Sequence, residues 1–432
     1  MTHASPNTLS AWETAALIER GELRPSDLMR ACLDRIAERD GDVHAFVNLD
    51  PDAAMRQARI LDTAPRKGLL HGLPLAVKDL MDTADFPTEY GSDLYKEHRP
   101  RSDAAVVALC RREGAVVPGK TVTTEFAYFH PGPTRNPHNL GHTPGGSSSG
   151  SAAAVADLMV PLALGTQTAG SIIRPAAYCG IVGYKPTWGR VPRAGIKSLS
   201  ETLDTVGGFA RTVRDVALLG AVLTGDTRLN GEFQPARPRI GLCPTSEWAH
   251  VGADVQRAWA EAVRVLAPQA AHMSDAVLPP DLPDLVALQK TIMAFEMSRA
   301  LAYELSTDKA RLSAPLQELL ANGTEISGAT HVQNQRATAS AQARVAALFD
   351  DFDVLLTPSA AGEAPAGIDA TGDPLFCRAW TLLGLPCVHI PFALGSQNLP
   401  IGLQLVGRWG DDHKLLATAE WISKRIASPV KN

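Results

Sequence analysis

The 432-residue chain lacks a cysteine pair with metal-type or redox-type spacing, and it lacks a long apolar run. Its six cysteines form no C-x-x-C pair, and most lie in apolar contexts such as ALC and GLC. This pattern indicates buried, reduced thiols, so we expect a cytoplasmic protein without a disulfide framework. The first residues, MTHASPNTLSAWETAAL, lack the basic and then apolar pattern of a signal peptide. No apolar run reaches about 18 residues, so we expect no membrane association through a spanning helix.

The chain also lacks a strong excess of either charge. Lysine and arginine total 41 and aspartate and glutamate 46, which gives a formal net charge of -5. No basic cluster interleaved with aromatic residues stands out, so we expect no nucleic-acid partner. Hydrophobic residues make up 45% of the chain, which is enough for a sizeable globular core.

Helical and strand-like segments alternate along much of the chain. Apolar, strand-like segments at residues 68–79, 159–164 and 181–185 are each near a segment with helical spacing. This alternation is typical of a layered α/β domain with helices on both faces of a sheet. No linker or internal repeat divides the chain. We therefore predict a single α/β/α domain over residues 1–432, with a central sheet that is mixed, mostly parallel and twisted.

The middle of the chain has a different pattern from its flanks. Residues at about 215–350 are mostly helical in pattern, whereas strand-like segments return after about residue 350. We therefore expect a mostly helical insertion at about 215–350, between core segments at about 65–215 and 350–410.

The stretch at residues 139–187 is rich in Gly, Ser, Ala and Thr, and it contains two Gly-Ser turns. The first turn is GGSSSGS at residues 145–151. A flexible linker fits poorly directly before an Ala-rich helix, and the Gly-Lys-Ser/Thr ending of a phosphate-binding loop is absent. A nucleophile elbow centred on Ser148 matches G-x-S-x-G, but that motif needs a strand immediately before the turn. The preceding RNPHNLGHTPG is typical of a loop, so the elbow interpretation fails.

The second turn, GTQTAGS at residues 165–171, follows an apolar segment and opens a short helix. Successive backbone amides at a helix start can stabilise a developing negative charge. The amides of Thr168, Ala169, Gly170 and Ser171 are therefore candidates for an oxyanion hole, with Ser171 placed to attack. A Gly-Ser pair before a helix is also a common N-cap, and the sequence leaves both interpretations open.

Lys78 ends the apolar run LLHGLPLAV, where a lysine is costly to bury. One interpretation is that Lys78 emerges at a strand end and pairs with Asp79. The other is a desolvated lysine that is neutral at pH 7 and acts as a general base. Pairs of serine and lysine are known variants of nucleophilic catalysis, so the second interpretation connects Lys78 to the two Gly-Ser turns.

Several blocks of this sequence resemble those of the amidase signature family. They are GGSSSGSAAAVADLMVPLALGTQTAGSIIRPAAYCGIVGYKPTWGRVPRAG, the upstream LPLAVKD, the later SETLDTVGGFARTVRD and the C-terminal LPIGLQLVGRWGDD. The resemblance covers nearly all of the chain and implies the amidase signature fold. Within the family the chain looks most like malonamidase-type bacterial amidases, through TQTAGSIIRPAAYCG and TGDPLFCRAWTLLGLPCV.

The resemblance implies a Ser-cisSer-Lys triad that needs no metal and no cofactor. In this arrangement Ser171 is the nucleophile and Lys78 is the neutral base. Ser147, preceded by a cis peptide after Gly146, relays the proton between them. The oxyanion hole then consists of the backbone amides of residues 168–171.

The chain departs from the family pattern at the second turn. Many members have Asp-Thr-Gly-Gly-Ser-Ile-Arg there, whereas this chain has Gln167 and Ala169, and its arginine follows one position later as Arg174. Malonamidase-like enzymes share this placement, which implies that Arg174 holds a substrate carboxylate. A structural ion pair is the alternative for Arg174. Gly145 and Gly146 are expected at the substrate site as well, while Ser148 and Asp204 are expected to be structural.

We therefore expect a serine hydrolase that cleaves the C–N bond of a small-molecule amide through an acyl-enzyme on Ser171. A first alternative is a carbamate or urea-derivative hydrolase of the urethanase, carboxybiuret or allophanate type, since the same triad can attack those carbonyls. A second alternative is the A-type subunit of a tRNA-dependent amidotransferase, which would need partner subunits. The sequence leaves the oligomeric state open, with a homodimer as one outcome.

Overall fold

The computed structural model describes residues 5–233 and 237–426. Within these ranges the chain forms fifteen α-helices, which in chain order are α1 Ala11–Glu19, α2 Pro25–Val43, α3 Pro51–Leu61, α4 Ala105–Arg112, α5 Ser149–Ala156, α6 Ile173–Cys179, α7 Val213–Thr224, α8 Ala253–Leu266, α9 Leu285–Ala300, α10 Ala302–Thr307, α11 Ala314–Glu325, α12 Gly328–Ala346, α13 Leu348–Asp351, α14 Leu375–Leu382 and α15 Asp412–Ser423.

The described strands form one sheet. They are β1 Phe46–Leu49, β2 Leu75–Lys78, β3 Gly119–Thr121, β4 Leu162–Gln167, β5 Val182–Lys185, β6 Thr205–Ala210, β7 Arg239–Leu242, β8 His272–Asp275, β9 Val354–Pro358, β10 Cys387–Leu394 and β11 Pro400–Gly407. Their order across the sheet is β1-β3-β2-β4-β6-β5-β10-β11-β9-β7-β8. Strands from both ends of the chain meet in this sheet, which confirms one α/β domain.

The sheet is mixed, as predicted, but the prediction that it is mostly parallel is wrong. Of the ten strand pairings among the described residues, six are antiparallel and four are parallel. The parallel pairings are confined to two groups, β3-β2-β4 and β8-β7-β9. Between these groups lie β6, β5, β10 and β11, which all pair in antiparallel fashion.

Strand β6 accounts for part of this error, because its sequence carries only a weak strand signal. The segment TVGGFA contains two glycines, which are uncommon within strands. The structure explains why one of them is needed: a Cβ atom on Gly207 would lie 2.1 Å from the carbonyl oxygen of Tyr184 on β5. The glycine lets β6 lie between β4 and β5, antiparallel to both.

Helices cover both faces of the sheet, as the alternation of strand side chains shows. Leu75 and Val77 pack into one hydrophobic cluster, whereas Ala76 between them packs into another. The first cluster includes side chains of α1, α4, α7, α8 and α15. On the opposite face, one cluster includes α3, α5 and α6, and a further cluster includes α9, α11, α12 and α14. This arrangement confirms the α/β/α layers.

The parallel pair β2 and β4 brings the candidate site together. Because the two strands are parallel neighbours, their C-terminal ends, Lys78 and Gln167, lie at the same edge of the sheet. The turn at residues 168–171 follows β4 and leads into α6, while the first Gly-Ser turn leads into α5. Ligands in α/β proteins bind at this type of edge.

The segment at about 215–350 is mostly helical, but it also supplies β7 and β8 to the common sheet. The division into a core at about 65–215 and 350–410 and an insertion between them stays a prediction. No helix in the described part of the chain is long and apolar enough to cross a membrane.

Candidate active site

Lys78 is fully buried at the end of β2, and its ammonium position is surrounded by hydroxyl groups. Its Nζ lies 2.8 Å from Ser147 Oγ and 2.7 Å from Thr166 Oγ1. Within the described ranges Lys78 takes part in no ion pair. Its sequence neighbour Asp79 pairs with Lys120 instead, at 3.0 Å. The interpretation in which Lys78 pairs with Asp79 is therefore wrong.

The surroundings of Lys78 favour its neutral form. Burial lowers the pKa of Lys78 well below its ordinary value of 10.5, and the negative charge of Asp204 opposes this effect only in part. A neutral amine has a lone pair and can accept a proton. The geometry therefore places a buried base in hydrogen-bond contact with the hydroxyl of Ser147.

The first Gly-Ser turn is held against β4. Gly145 has a φ of 80°, and the peptide bond between Gly146 and Ser147 is cis. Ser148 Oγ donates a hydrogen bond to the carbonyl oxygen of Thr166 and accepts one from its backbone amide, at 3.2 and 3.3 Å. Ser148 therefore fastens the turn to the neighbouring strand, as expected for a structural residue.

The second turn presents four consecutive backbone amides without partners. No hydrogen bond described in residues 5–233 and 237–426 is donated by the amides of Thr168, Ala169, Gly170 or Ser171. The next two amides are occupied, since the side-chain oxygen of Gln167 accepts from residues 172 and 173 at 2.9 and 3.0 Å. The free donors are thus confined to residues 168–171, where they can stabilise an anion.

Asp204 fixes the start of this turn from outside. Its carboxylate accepts a 2.6 Å hydrogen bond from Thr168 Oγ1 and further bonds from the backbone amides of Leu199 and Ser200. The aspartate therefore links the turn to the loop before β6, which agrees with its expected structural role.

Ser171 lies in a small cavity beside these amides. The cavity has a volume of about 20 Å³ and is lined by Ala127, Tyr128, Phe129, Thr168, Ala169, Ser171, Arg174, Leu199, Met293 and Met297. Ser171 is 7% exposed, and in the described part of the chain its hydroxyl makes no hydrogen bond. The hydroxyl is therefore free to contact a bound molecule.

Arg174 also lines this cavity, and its buried guanidinium forms no ion pair with an acidic residue in the described ranges. It donates to the carbonyl oxygens of Gly146 and Gly372 at 2.6 and 2.7 Å and to Thr371 Oγ1 at 3.1 Å. Its Nε is buried and has no hydrogen-bond partner among the residues that the structure describes. Burial lowers the pKa of Arg174 to about 10, so the group remains a cation at neutral pH.

The structural ion pair considered for Arg174 is absent from the described residues, since its three acceptors are all neutral. A buried cation next to a cavity is suited to binding an anion. Gly146 contributes to this site by orienting Arg174 through its carbonyl group. Neither Gly145 nor Gly146 is among the residues that line the cavity.

Comparison with known proteins identifies the family. A family model described as Amidase matches residues 27–416.

The chain belongs to the amidase family.

The A-type chain of glutamyl-tRNA(Gln) amidotransferase from Desulforapulum autotrophicum is 32% identical over 471 residues, across 95% of this chain and 96% of that protein. A crystal structure of an amidase has a TM-score of 0.89 and 28% identity and covers 97% of this chain and 100% of that chain. An inhibitor-bound vestigial protein complex, studied for the evolutionary origins of an s-triazine catabolic enzyme, contains a chain with a TM-score of 0.87. That chain is 28% identical to this one, and the match covers 97% of this chain and 100% of that chain. These structures share the α/β domain with a large mixed sheet.

In this member of the amidase family, two buried residues near the cavity, Arg378 and Gln289, are not indicated by the sequence. Arg378 on α14 lies 6.0 Å from the ring centre of Phe129, on which Arg174 also packs at 5.5 Å. Arg378 donates a hydrogen bond to the side-chain oxygen of Gln289 on α9, and Gln289 in turn donates to the carbonyl oxygen of Thr168. The block TGDPLFCRAWTLLGLPCV contains Arg378, but nothing in the sequence connects it to Gln289.

Proposed function

We propose that the protein is an amidase that hydrolyses a small-molecule amide through an acyl-enzyme on Ser171. The observation that carries this proposal is the buried Lys78, which has no acidic partner in the described structure and contacts the Ser147 hydroxyl at 2.8 Å. Burial of a lysine without an ion-pair partner favours its neutral form, which can act as a base. Membership of the amidase family and the free backbone amides beside Ser171 support the same reaction.

The proposed reaction begins when Ser171 Oγ attacks the substrate carbonyl carbon. Ser171 passes its proton to Ser147, which passes its own to neutral Lys78. The Ser171 hydroxyl makes no hydrogen bond in the described resting structure, so it approaches Ser147 when substrate binds. The amides of Thr168, Ala169, Gly170 and Ser171 stabilise the oxyanion of the tetrahedral intermediate.

The remaining steps return the proton and release the products. As the C–N bond breaks, the proton held by Lys78 returns through Ser147 to the leaving nitrogen, which departs as ammonia or an amine. Water then attacks the acyl group on Ser171 with the same base, and the carboxylic acid leaves. No step in this sequence requires a metal or a cofactor.

Arg174 supports a finer proposal, in which the substrate carries a carboxylate on its acyl side. Its uncompensated cation lines the same cavity as Ser171, which suits a malonamate-like half-amide. The resemblance of TQTAGSIIRPAAYCG to malonamidase-type enzymes points the same way, whereas the sequence relative compared above is an A-type chain of an amidotransferase. The carboxylate would neutralise a guanidinium that forms no ion pair within residues 5–233 and 237–426.

Two other functions are separated by experiment. Relatives that are A-type chains of an amidotransferase are similar over nearly the whole chain, which supports the second alternative. The first alternative, a carbamate or urea-derivative hydrolase, uses the same proposed triad and differs only in the substrate. A homodimer and a cytoplasmic location stay predictions, as does the absence of nucleic-acid and membrane partners.

The deciding experiment is a substrate panel on the purified single chain. We expect hydrolysis of malonamate to exceed that of aliphatic amides, aryl amides and carbamates when ammonia or amine release is measured. Preferred turnover of a carbamate or urea derivative would replace the amide proposal with the first alternative. Activity on glutamine that appears only with added amidotransferase subunits would support the second alternative instead.

A further inference from the structure

In the second turn, the carbonyl groups of residues 168, 169 and 170 each accept a hydrogen bond from a different helix. Gln289 Nε2 on α9 donates to the carbonyl oxygen of Thr168 at 2.9 Å. Thr381 Oγ1 on α14 donates to the carbonyl oxygen of Ala169 at 2.7 Å. The backbone amide of Arg174 in α6 donates to the carbonyl oxygen of Gly170 at 2.9 Å.

These three contacts determine where the next three amides point. In a trans peptide unit the C=O and N–H groups point in opposite directions. Holding the carbonyl of residue 168 toward α9 turns the amide of Ala169 away from α9. The contacts to the carbonyls of residues 169 and 170 orient the amides of Gly170 and Ser171 in the same manner. These amides are among those that have no partner in the described structure.

The direction of each hydrogen bond is fixed by a second layer of contacts. Arg378 has only donors, so the Gln289 atom that it contacts must be the side-chain oxygen, which leaves Nε2 for Thr168. The side-chain oxygen of Gln167 accepts two backbone amides, so its Nε2 donates to Thr381 Oγ1 at 2.9 Å. The single hydroxyl proton of Thr381 is then left for the carbonyl of Ala169.

All four of these side chains are buried, at 0% exposure for Gln167 and Gln289, 1% for Thr381 and 4% for Arg378. Solvent therefore offers little competition for their hydrogen bonds, and a lost donor is not replaced. Two long-range contacts from outside the turn, those of Gln289 and Thr381, thus hold the carbonyl groups of residues 168 and 169.

We propose that Gln289 and Thr381 are positioning residues of the oxyanion hole, which aim the amides of Ala169 and Gly170 by holding the carbonyls that precede them. This inference rests on the proposed function, in which those amides stabilise the oxyanion. Loss of either side-chain donor frees one peptide unit to rotate. Stabilisation of the tetrahedral intermediate then falls, while binding of the ground-state substrate is kept.

The first test compares Thr381→Val with Thr381→Ser. The valine variant keeps the volume and removes the donor, so we expect kcat to fall about 10- to 100-fold with KM changed less than about twofold. The serine variant keeps the hydroxyl and should recover kcat to within about threefold of the original. Thr357→Val is the matched control, because Thr357 is a fully buried threonine whose hydroxyl has no partner in the described structure.

The second test uses Gln289→Glu, which keeps an acceptor for Arg378 and removes the donor to Thr168. We expect a similar fall in kcat. The affinity for an aryl boronate, which forms a tetrahedral adduct on the serine, should fall in parallel with kcat in both donor-deleted variants. A residue that only supports the fold would not weaken boronate binding selectively.

Different results would contradict the positioning roles of Gln289 and Thr381 and the proposed function itself. If Thr381→Val and Gln289→Glu keep kcat and boronate affinity within twofold while Ser171→Ala is inactive, the positioning roles are wrong and the proposed function stands. If Ser171→Ala remains active, the proposed function itself is wrong. If Thr381→Val does not fold, Gln289→Glu, which removes the other side-chain donor, decides the outcome.

Discussion

The ammonium of Lys120 lies 3.0 Å from the carboxylate of Asp79, and both side chains are buried. The carboxylate that follows the candidate base in the sequence is therefore neutralised by a different lysine. Lys78 has hydroxyl groups as its hydrogen-bond partners instead. The candidate base Lys78 is thus the direct sequence neighbour of Asp79, which belongs to a buried ion pair.

Removing one member of that ion pair should destabilise the fold. Lys120→Met leaves the Asp79 carboxylate buried and unpaired, so we expect the free energy of unfolding to fall by about 3–5 kcal/mol. Urea denaturation at pH 7 measures the change. Lys120→Met combined with Asp79→Asn should recover part of the loss, because no charge is then left unpaired. A loss below about 1 kcal/mol in the single variant would contradict the prediction.

The activity should rise with pH because only neutral Lys78 can accept a proton. Burial lowers the pKa of Lys78 below its ordinary value of 10.5, so the midpoint of the rise in kcat/KM should lie below that value. As the pH falls through this pKa, the lysine becomes protonated and activity is lost. Lys78→Met should lower kcat/KM by about 10²- to 10⁴-fold and abolish this rise. An unchanged pH profile in the variant would assign the rise to another group.

Two serine variants of equal size separate the proposed nucleophile from its neighbour. Ser171→Ala should eliminate labelling by a fluorophosphonate probe, since no Oγ remains to be acylated. Ser148→Ala should retain labelling but lose up to about 1–3 kcal/mol of stability, because it leaves the Thr166 backbone groups unpaired. Mass spectrometry and thermal unfolding provide the two readouts. Loss of labelling in Ser148→Ala alone would favour the elbow interpretation.

The role of Arg174 is tested by comparing anionic and neutral substrates. Charge-assisted hydrogen bonds contribute about 1.5–3 kcal/mol, so Arg174→Met should lower kcat/KM for malonamate by about 10- to 150-fold. The value for a neutral amide of similar size should fall much less. Since Arg174 also holds Gly146 and Gly372, thermal unfolding serves as the control for structural damage. Equal losses for both substrates would indicate a structural role alone.

The sequence predicted the candidate site better than the residues that support it. The apolar run before it singles out Lys78, and the resemblance to the amidase signature family implies Ser147; the structure brings the two into contact across 69 positions of the chain. Gln289 and Thr381 contact the second turn across 121 and 212 positions, and neither the sequence around Gln289 nor the block that contains Thr381 indicates this contact. Such contacts depend on how α9 and α14 pack, which residue spacing does not encode.

The fold was predicted in the same uneven way. Segments with strong apolar patterns, such as β2 and β4, were found, and the layers around the sheet followed from their alternation with helices. The antiparallel direction of the central strands was missed in part because β6 contains two glycines, which weaken its strand signal. The packing around β6 requires these glycines, since a Cβ atom at either position would clash with neighbouring atoms. Local propensity and tertiary packing disagree there, and packing determines the result.

The cavity at Ser171, at about 20 Å³, has room for about one water molecule. A substrate that binds beside Ser171 displaces side chains around the cavity. Met293 and Met297 are suited to this, because unbranched thioether chains adapt to new shapes at low cost. Entry of a molecule and its reaction with Ser171 are thus separate events. The inactivation rate of a bulky electrophile would depend on how often the cavity widens rather than on the reactivity of the serine. Small and large inhibitors of equal chemical reactivity should accordingly inactivate this protein at different rates.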